Sequence, residues 1–475
     1  MKKNFLLNTV YQFLCIVLPF VVTPYISRVF GADGIGEFSY NMTIVSYFGL
    51  FITLGLNNYG NREIASVKDN VLLLSRTFSN IYVMQLVVGT VIFLSYIGYC
   101  YFFANNSLLS FVLGLYLFSY LFDINWFFFG LEEFKLTIAR NTLIKIISTL
   151  LVLICIKEKS DIYIYALITA ISYFVTQVSI WPFIKGRIVF VRPVWNEVKK
   201  HIKPNLVLFI PVLGVSLYNM MDKIMLGVLS TATELGFYES ADKIKAIPIM
   251  FITALGTVAL PRISYLNVKE KASEIVKLFS SSIALINFVI SAICFGMIAI
   301  ASSFVPIFFG EGYEKTVDIL YILLLSCFFI GIENVIKTQL LIPKKRDKIY
   351  IQSIFLGAGV NLVINAFLIP TMGGIGAAYA TLITETLVCV YQMIRVSSDI
   401  NIFCYILRDW YMYVTGIVMM IVVYVSPSIC NSEIKNLILK ILVGVFTYGI
   451  MMLCFKFTEI KCVIREIVLR CNSER

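Results

Sequence analysis

One apolar segment carries an acid and a base next to each other: Leu217-Tyr-Asn-Met-Met-Asp222-Lys223-Ile-Met-Leu-Gly227. A polar break and a second stretch, Leu235-Gly236-Phe-Tyr238-Glu-Ser-Ala241-Asp-Lys-Ile, follow it. The pattern predicts a helix that enters a bilayer, where charges normally face a cavity or a partner because exposure to lipid is costly. Adjacent helix residues point in different directions. We therefore expect Asp222 or Lys223 to reach another helix or a water-filled lumen.

The rest of the chain has the composition of a polytopic membrane protein. Of its 475 residues, 59% are hydrophobic and 14% charged, and the mean hydropathy is +0.87. Apolar runs of about 20 residues recur along it, the length that crosses a hydrocarbon core of ~30 Å. These runs are continuous and do not alternate at period two, which excludes a β-barrel. We predict an all-α polytopic fold with about 14 transmembrane helices.

Positive charge predicts the orientation of these helices. With the N-terminus inside, the inward segments hold 29 Lys and Arg and the outward loops hold 8, while Lys223 and Lys337 fall within spans. Short cytoplasmic loops carry such an excess, so we predict a multi-pass protein of the cell inner (cytoplasmic) membrane with both termini cytoplasmic. Twelve spans remain an alternative if the last pair of apolar runs does not cross.

A weak internal repeat appears at an offset of 200 residues. Gly36 matches Gly236, Phe51-Ile-Thr53 matches Phe251-Ile-Thr253, and Arg62 matches Arg262. A parallel repeat of this kind predicts two six-helix bundles related by a pseudo-two-fold axis along the membrane normal, followed by two further helices. The predicted divisions are an N-terminal lobe at 1–184, a basic cytoplasmic linker at 185–203, a C-terminal lobe at 204–395, and the extra helices and basic tail at 396–475.

Several charged residues lie within or beside predicted spans. Arg28 is at the outward end of the first span, Arg62 follows the second, and Arg262 closes the eighth. Such arginines can be interfacial anchors that extend to water, or they can line a passage. Asp123 stands among aromatic residues of the fourth span. It is a candidate to bind a coupling ion, and a hydrogen-bonded packing role is the alternative.

A further pair, Glu333 and Lys337, is spaced i,i+4 on one helix face. Residues at that spacing are neighbours on a helix. The pair therefore explains both charges as a self-neutralising structural contact, without any substrate.

Four stretches spread over the chain occur in a specific order. They are Pro24-Tyr-Ile-Ser-Arg28-Val-Phe-Gly31-Ala-Asp-Gly34-Ile-Gly36-Glu-Phe38, Asp123-Ile-Asn-Trp126-Phe-Phe-Phe-Gly130-Leu-Glu132-Glu-Phe-Lys135, Asp222 to Tyr238, and Asn361 to Thr381. Together they resemble the Wzx-type polysaccharide flippases of the multidrug/oligosaccharidyl-lipid/polysaccharide exporter superfamily. Glycines in the first and last stretches, Gly34, Gly36, Gly373 and Gly374 among them, permit tight turns between neighbouring spans.

The resemblance implies a flippase for undecaprenyl-diphosphate-linked oligosaccharide repeat units, working by alternating access through a cationic central cavity. Arginine offers phosphate oxygens a planar charged fork and lysine a point charge. The resemblance implies that the cationic residues of the cavity are Arg28, Arg62, Lys223 and Arg262. It implies that the amides that contact the sugar are Asn57, Asn219 and Asn365. The acids implied for ion coupling are Asp123 and Asp222.

The implied partners are the lipid-linked oligosaccharide, membrane lipid, and H⁺ or Na⁺ as counter-ion, with a polysaccharide polymerase as a further candidate. We expect no nucleic acid, metal or cofactor. The alternative function is a cation-coupled multidrug exporter of the same superfamily. We do not expect an enzyme, because the sequence has no Asp-x-Asp metal motif of glycosyltransferases and no large outward loop of the kind that polysaccharide polymerases carry.

Overall fold

The computed structural model describes residues 2–189, 191–269, 271–427 and 431–455. Within these ranges the chain is helical, and the only extended pairing is an isolated bridge between Lys185 and Ile188. The predicted basic tail after residue 455 lies outside the described residues. The chain divides into two compact units, unit 1 at Met1–Gly227 and unit 2 at Val228–Arg475.

Eight helices begin in unit 1, and the last of them ends just past its boundary. They are α1 (Lys2–Thr53), α2 (Leu56–Val67), α3 (Val71–Phe102), α4 (Ser107–Ser119), α5 (Asn125–Gly130), α6 (Phe134–Cys155), α7 (Ile162–Val178) and α8 (Trp195–Leu229).

In the described part of unit 2, eight α-helices follow. They are α9 (Ala232–Val268), α10 (Ala272–Phe309), α11 (Glu314–Ile336), α12 (Asp347–Met372), α13 (Gly374–Val396), α14 (Ile402–Arg408), α15 (Trp410–Val425) and α16 (Glu433–Cys454). A turn of π-helix, Lys337–Leu341, continues α11.

The helices confirm the all-α polytopic prediction. In the described part of the chain, 11 helices are long and apolar enough to cross a membrane, or 12 if α14 and α15, bent by 46°, form one span. α1 has 52 residues and is broken at Gly31, where φ is 68°. At 1.5 Å per residue it would measure about 78 Å, so its two arms are separate spans. The 12 candidate spans become 14 when the two arms of α1 are counted separately and the 22-residue α6 is added.

The break between the first two spans differs from the predicted position. Gly31 adopts the positive φ, whereas Gly34 and Gly36 are helical. The prediction that Gly34 and Gly36 form this turn was therefore wrong by one helical turn. The reason is that one residue without a Cβ is enough to admit the left-handed conformation.

The seventh predicted span, 204–229, lies almost entirely in unit 1, although we assigned it to the C-terminal lobe. α8 runs antiparallel to the second arm of α1 and to α2, as the order of five contacting residue pairs shows. The paired residues are Tyr40 and Gly227, Tyr47 and Ser216, Phe51 and Phe209, Gly55 and Asn205, and Tyr59 and His201. These contacts all lie within unit 1. The pseudo-two-fold repeat stays a prediction.

The last two spans pack on α10 within unit 2. Met419 and Tyr448 share a buried apolar cluster with residues of α10, and the Tyr448 hydroxyl donates to the Phe288 carbonyl at 2.9 Å. At the bend between α14 and α15, buried Asp409 accepts a hydrogen bond from Asn287 Nδ2 at 3.1 Å. A polar link therefore fixes the bend to α10.

A carboxylate fixes the turn between α12 and α13. Gly373 has φ 59°, and Glu234 in the first turn of α9 accepts a hydrogen bond from the Gly374 amide at 2.8 Å. Lys315 in the first turn of α11 pairs with the same carboxylate. An acid is favourable at a helix N-terminus, so Glu234 joins the ends of α9, α11 and α13.

We expect Gly373→Ala to destabilise the folded protein. A Cβ at residue 373 would overlap the Glu234 carboxylate, and a non-glycine residue in such a backbone conformation costs about 1–3 kcal/mol. The matched control is Gly359→Ala, where a Cβ meets nothing within 4 Å and alanine improves helix propensity. Thermal unfolding of both purified variants should show opposite shifts from the parent protein. Equal shifts would contradict the proposed role of the turn.

Candidate functional site

The fourth span is interrupted in the middle of unit 1. α4 ends at Ser119, a 3-10 turn covers Tyr120–Phe122, Asp123 is extended with ψ 106°, and α5 then begins. The span itself, predicted at 108–130, is confirmed as Ser107–Gly130, but its helix is broken near one end. A break inside a membrane leaves carbonyl groups that other protein groups or water must satisfy.

Two side chains from other helices satisfy these carbonyls. Gln85 on α3 is 1% exposed, and its Nε2 donates to the carbonyls of Tyr120 at 2.8 Å and Asp123 at 2.9 Å. Its Oε1 accepts from Trp126 Nε1 at 3.1 Å. Trp181 Nε1 donates to the Phe122 carbonyl at 3.0 Å. The break is therefore a stable part of the fold.

The break places Asp123 at one end of a polar chain. Its Oδ1 accepts from the Asn125 amide at 2.9 Å and from Asn125 Nδ2 at 2.7 Å. Asn125 Nδ2 also donates to Gln177 Oε1 at 3.0 Å, and Arg140 Nη2 donates to Asn125 Oδ1 at 3.1 Å. Asp123, which the sequence places among aromatic residues, therefore has polar partners. The contacts favour the alternative of a hydrogen-bonded packing role.

Arg140 is the member of this chain that the sequence analysis missed. We did not include Arg140 among the charged residues of spans, but α6 begins at Phe134 and contains it. The missed signal was that residues 134–155 contain neither glycine nor proline, so nothing stops the helix before Arg140. Unit 1 therefore holds a partly buried guanidinium beside the broken span.

A second cationic group lies where α2 meets the start of α8. The Arg62 guanidinium is 5.8 Å from the centre of the Tyr59 ring and 3.3 Å from Glu63 Oε1, and its side chain is 63% exposed. Tyr59 Oη lies 2.6 Å from His201 Nδ1. Asn57 is exposed on the same helix. The structure thus adds an aromatic residue and the single histidine of the chain to the predicted Arg62.

The remaining unit 1 candidates lie on α1 and α8. Arg28 is exposed three residues before Gly31, and its Nη1 donates to the Pro24 carbonyl at 3.4 Å. On α8, Asp222 is 5% exposed, Lys223 is partly buried and Asn219 is exposed. Of these two adjacent residues, Asp222 is therefore more buried than Lys223.

Two candidates lie in unit 2. Arg262 on α9 forms an ion pair with Glu274 at 3.8 Å and lies 5.7 Å from the centre of the Tyr265 ring. Asn365 is fully buried, and its Nδ2 donates to Asn361 Oδ1 at 2.9 Å. Arg262 therefore has an acidic partner, as Arg62 has in Glu63. Asn365 contacts its own helix.

Among the described residues, no group of three or more His, Cys, Asp or Glu side chains could hold a metal ion. The candidate residues of unit 1 carry guanidinium, amide and phenol groups, which can bind anions and hydroxyl groups by hydrogen bonding.

Known structures share this fold. The lipid II flippase MurJ, in an inward closed conformation, superposes with a TM-score of 0.74 at 16% identity, covering 94% of this chain and 98% of that one. An inward-facing multidrug resistance MATE family transporter of the MOP superfamily superposes with a TM-score of 0.58 at 13% identity, covering 78% of this chain and 94% of that one. At these identities the likeness concerns the fold alone.

Sequence relatives extend the comparison. A candidate O-antigen transporter of Shigella dysenteriae is 24% identical over 399 residues, 83% of this chain and 99% of the relative. A second candidate O-antigen transporter, from Escherichia coli K12, is 25% identical over 412 residues, which cover 85% of this chain and 98% of the relative. These relatives are transporters by name, which agrees with the non-enzyme prediction at a coarse level.

Family models give the most direct assignment. The model for polysaccharide biosynthesis proteins matches residues 1–267, more than half of the chain, and the model for the lipid II flippase MurJ matches residues 141–444. The chain therefore belongs to the polysaccharide biosynthesis protein family, as a Wzx-type flippase of the multidrug/oligosaccharidyl-lipid/polysaccharide exporter superfamily.

Proposed function

We propose that this chain moves undecaprenyl-diphosphate-linked oligosaccharide repeat units across the cytoplasmic membrane for surface polysaccharide biosynthesis. The observation that carries the proposal is the match to two candidate O-antigen transporters over 99% and 98% of their lengths. Both termini are cytoplasmic in this proposal. The lipid-linked oligosaccharide is the substrate, and a polysaccharide polymerase is the partner that receives it.

The cations of unit 1 supply the chemistry that such a substrate needs. A diphosphate loses hydration when it leaves water, and arginine replaces it with charge-assisted hydrogen bonds. Arg28 and Arg62 are exposed, so a ligand can reach both guanidinium groups, and Arg62 also pairs with Glu63 at 3.3 Å. We place the diphosphate path along α1, α2 and α8, with Lys223 as a further cation and Asn57 and Asn219 as sugar contacts.

Arg262 has a smaller part in this proposal than its position in the repeat suggested. Its ion pair with Glu274 must open before the guanidinium can bind phosphate, and Lys271 shares the same carboxylate. We therefore propose Arg262 as a residue that binds the substrate only in a conformation where Glu274 has turned away.

The proposed function predicts a specific defect when the gene is deleted. Surface polysaccharide should disappear, and lipid-linked repeat units should accumulate on the cytoplasmic leaflet, because synthesis continues and translocation stops. The measurement is surface polymer by gel, together with the accessibility of lipid-linked units to an impermeant sugar-modifying enzyme added outside. Re-expression of the chain is the control. Lipid-linked units that remain accessible outside the deletion strain would refute the proposal.

The multidrug-exporter alternative rests on the shared fold with the MATE transporter. Such an exporter would recognise organic cations, and Asp123 is the acid we first assigned to ion coupling. Its contacts with Asn125 and its electrostatic interaction with Arg140 make it a poor cation receptor. Efflux of a cationic dye that is lost in Asp123→Asn would favour the exporter, whereas absent dye efflux supports the flippase.

A further inference from the structure

The segment predicted as a basic linker, 185–203, is held against α3 in unit 1 by hydrogen bonds to its backbone. The Val189 amide donates to Ser75 Oγ at 2.9 Å, and the Val194 amide donates to Asn80 Oδ1 at 3.1 Å. Both acceptors are buried side chains of α3. The described part of this segment is therefore a fixed surface of unit 1.

The inner side of the segment continues this attachment. Glu197 accepts a hydrogen bond from Asn80 Nδ2 at 3.0 Å and forms an ion pair with Arg76 at 2.9 Å. Ile184 and Val198 belong to a buried apolar cluster of unit 1. The only acid of the segment is therefore used to bind α3, and the apolar side chains that face the protein are covered.

The outer side of the segment carries positive charge. Residues 185–203 contain six Lys and Arg and one acid, Glu197. Arg187 pairs with Glu133 at 2.7 Å, and Glu197 pairs with Arg76. The other five bases are exposed, and they are Lys185, Arg192, Lys199, Lys200 and Lys203. This surface therefore attracts anions.

The same surface joins an exposed stripe of α8. Trp195, Lys199, Ile202, Leu206 and Ile210 are all exposed, and their spacing of three or four residues places them on one side of the helix. Lys199 Nζ lies 5.8 Å from the centre of the Trp195 ring. The stripe is thus aromatic and basic at the start of α8 and aliphatic further along.

The length of α8 places the aromatic and basic end at a membrane interface. The helix has 35 residues and measures about 52 Å at 1.5 Å per residue, whereas a hydrocarbon core is ~30 Å thick. Its first turns therefore extend to the headgroups. Tryptophan is enriched at that level, and exposed aliphatic side chains such as Leu206 and Ile210 are stable against acyl chains.

We propose that this surface is a binding site for anionic phospholipid. We call it the linker face, defined by Trp195, Lys199 and Lys203 of α8 with Lys185 and Arg192. The lysines meet the lipid phosphate, and the Trp195 ring lies at the top of the acyl chains. A basic residue beside an anionic membrane surface contributes about fivefold in affinity. The ligand is a bilayer lipid, so this proposal does not rest on the proposed function.

Quenching of Trp195 fluorescence by brominated lipids tests the site in nanodiscs of the full-length protein. The Trp195 signal is the difference between each protein and its Trp195→Phe counterpart, a mild change because the side chain is 52% exposed. Brominated phosphatidylglycerol, diluted in phosphatidylcholine, should quench this signal at an at least fivefold lower mole fraction than brominated phosphatidylcholine diluted in phosphatidylglycerol.

Two variants connect this lipid preference to the lysines of the linker face. In Lys199→Gln/Lys203→Gln we expect phosphatidylglycerol and phosphatidylcholine to quench almost equally. The matched control is Lys157→Gln/Lys159→Gln, which removes two exposed lysines between α6 and α7 and should keep the preference of the parent. In the parent protein, about 0.5 M NaCl should weaken the preference, because salt screens exposed charges.

Three results would overturn the site. One is equal quenching of the parent by the two lipids, and another is an unchanged preference in Lys199→Gln/Lys203→Gln. The third is loss of the preference on addition of millimolar inorganic diphosphate at constant ionic strength, which would identify a site for a soluble phosphate compound. These measurements involve no transport, so their failure leaves the proposed flippase function standing.

Discussion

Arg28→Ala should reduce surface polysaccharide about 10- to 100-fold, with lipid-linked repeat units accumulating on the inner leaflet. Hydrogen bonds to charged groups contribute about 1.5–3 kcal/mol, and each 1.4 kcal/mol corresponds to a factor of ten. Arg28 is exposed beside the Gly31 break, and in the proposed mechanism its guanidinium meets the diphosphate near the end of a span. Gel analysis of surface polymer, normalised to protein in the membrane, measures the effect.

Two variants separate a role for Arg28 in binding from a general effect of removing an arginine. Arg28→Lys keeps the charge and loses the planar fork, so we expect an intermediate amount of polymer. Arg395→Ala removes an exposed arginine at the end of α13, where the side chain lies 6.0 Å from the centre of the Tyr391 ring, and should leave the amount unchanged. Normal polymer in a stably expressed Arg28→Ala strain would remove Arg28 from the mechanism.

The helical architecture could be predicted because it depends on local properties of the chain. Apolar runs give the spans, and Gly373 occurs where the turn between α12 and α13 requires a positive φ. The break in the fourth span depends on distant partners instead. Gln85 and Trp181 are 38 and 59 residues away from the carbonyls of Asp123 and Phe122 that they satisfy. No pattern within residues 108–130 reports those partners.

The candidate site was only partly predictable for the same reason. Charges in apolar runs identified Arg28, Arg62, Lys223 and Glu333 as residues that need an explanation, but not which partner each one meets. Glu333 shows the limit: its i,i+4 neighbour Lys337 suggested a self-contained pair, and the structure adds a hydrogen bond from Gln392, 59 positions further along. Helix packing sets these contacts, and a single sequence does not record it.

Gln85→Leu should be the most destabilising substitution in unit 1. Leucine has a similar size but leaves the carbonyls of Tyr120 and Asp123 and the Trp126 indole N–H without the partners they have now. Each buried unsatisfied group costs about 1–3 kcal/mol, and a folded protein is stable by only about 5–15 kcal/mol. Thermal unfolding and size-exclusion profiles in detergent should therefore show mostly unfolded or aggregated protein.

A graded pair of variants keeps this prediction testable even if Gln85→Leu yields no folded protein. Trp126→Phe removes one of the three hydrogen bonds and should lower the unfolding temperature by a smaller amount. Gln352→Leu changes an exposed glutamine on α12 that accepts from the Tyr391 hydroxyl at 3.1 Å, and it should have little effect because water replaces the lost bond. If Gln85→Leu were as stable as Gln352→Leu, other groups or water would have to satisfy the broken span, and the polar chain from Asp123 to Arg140 would not depend on Gln85.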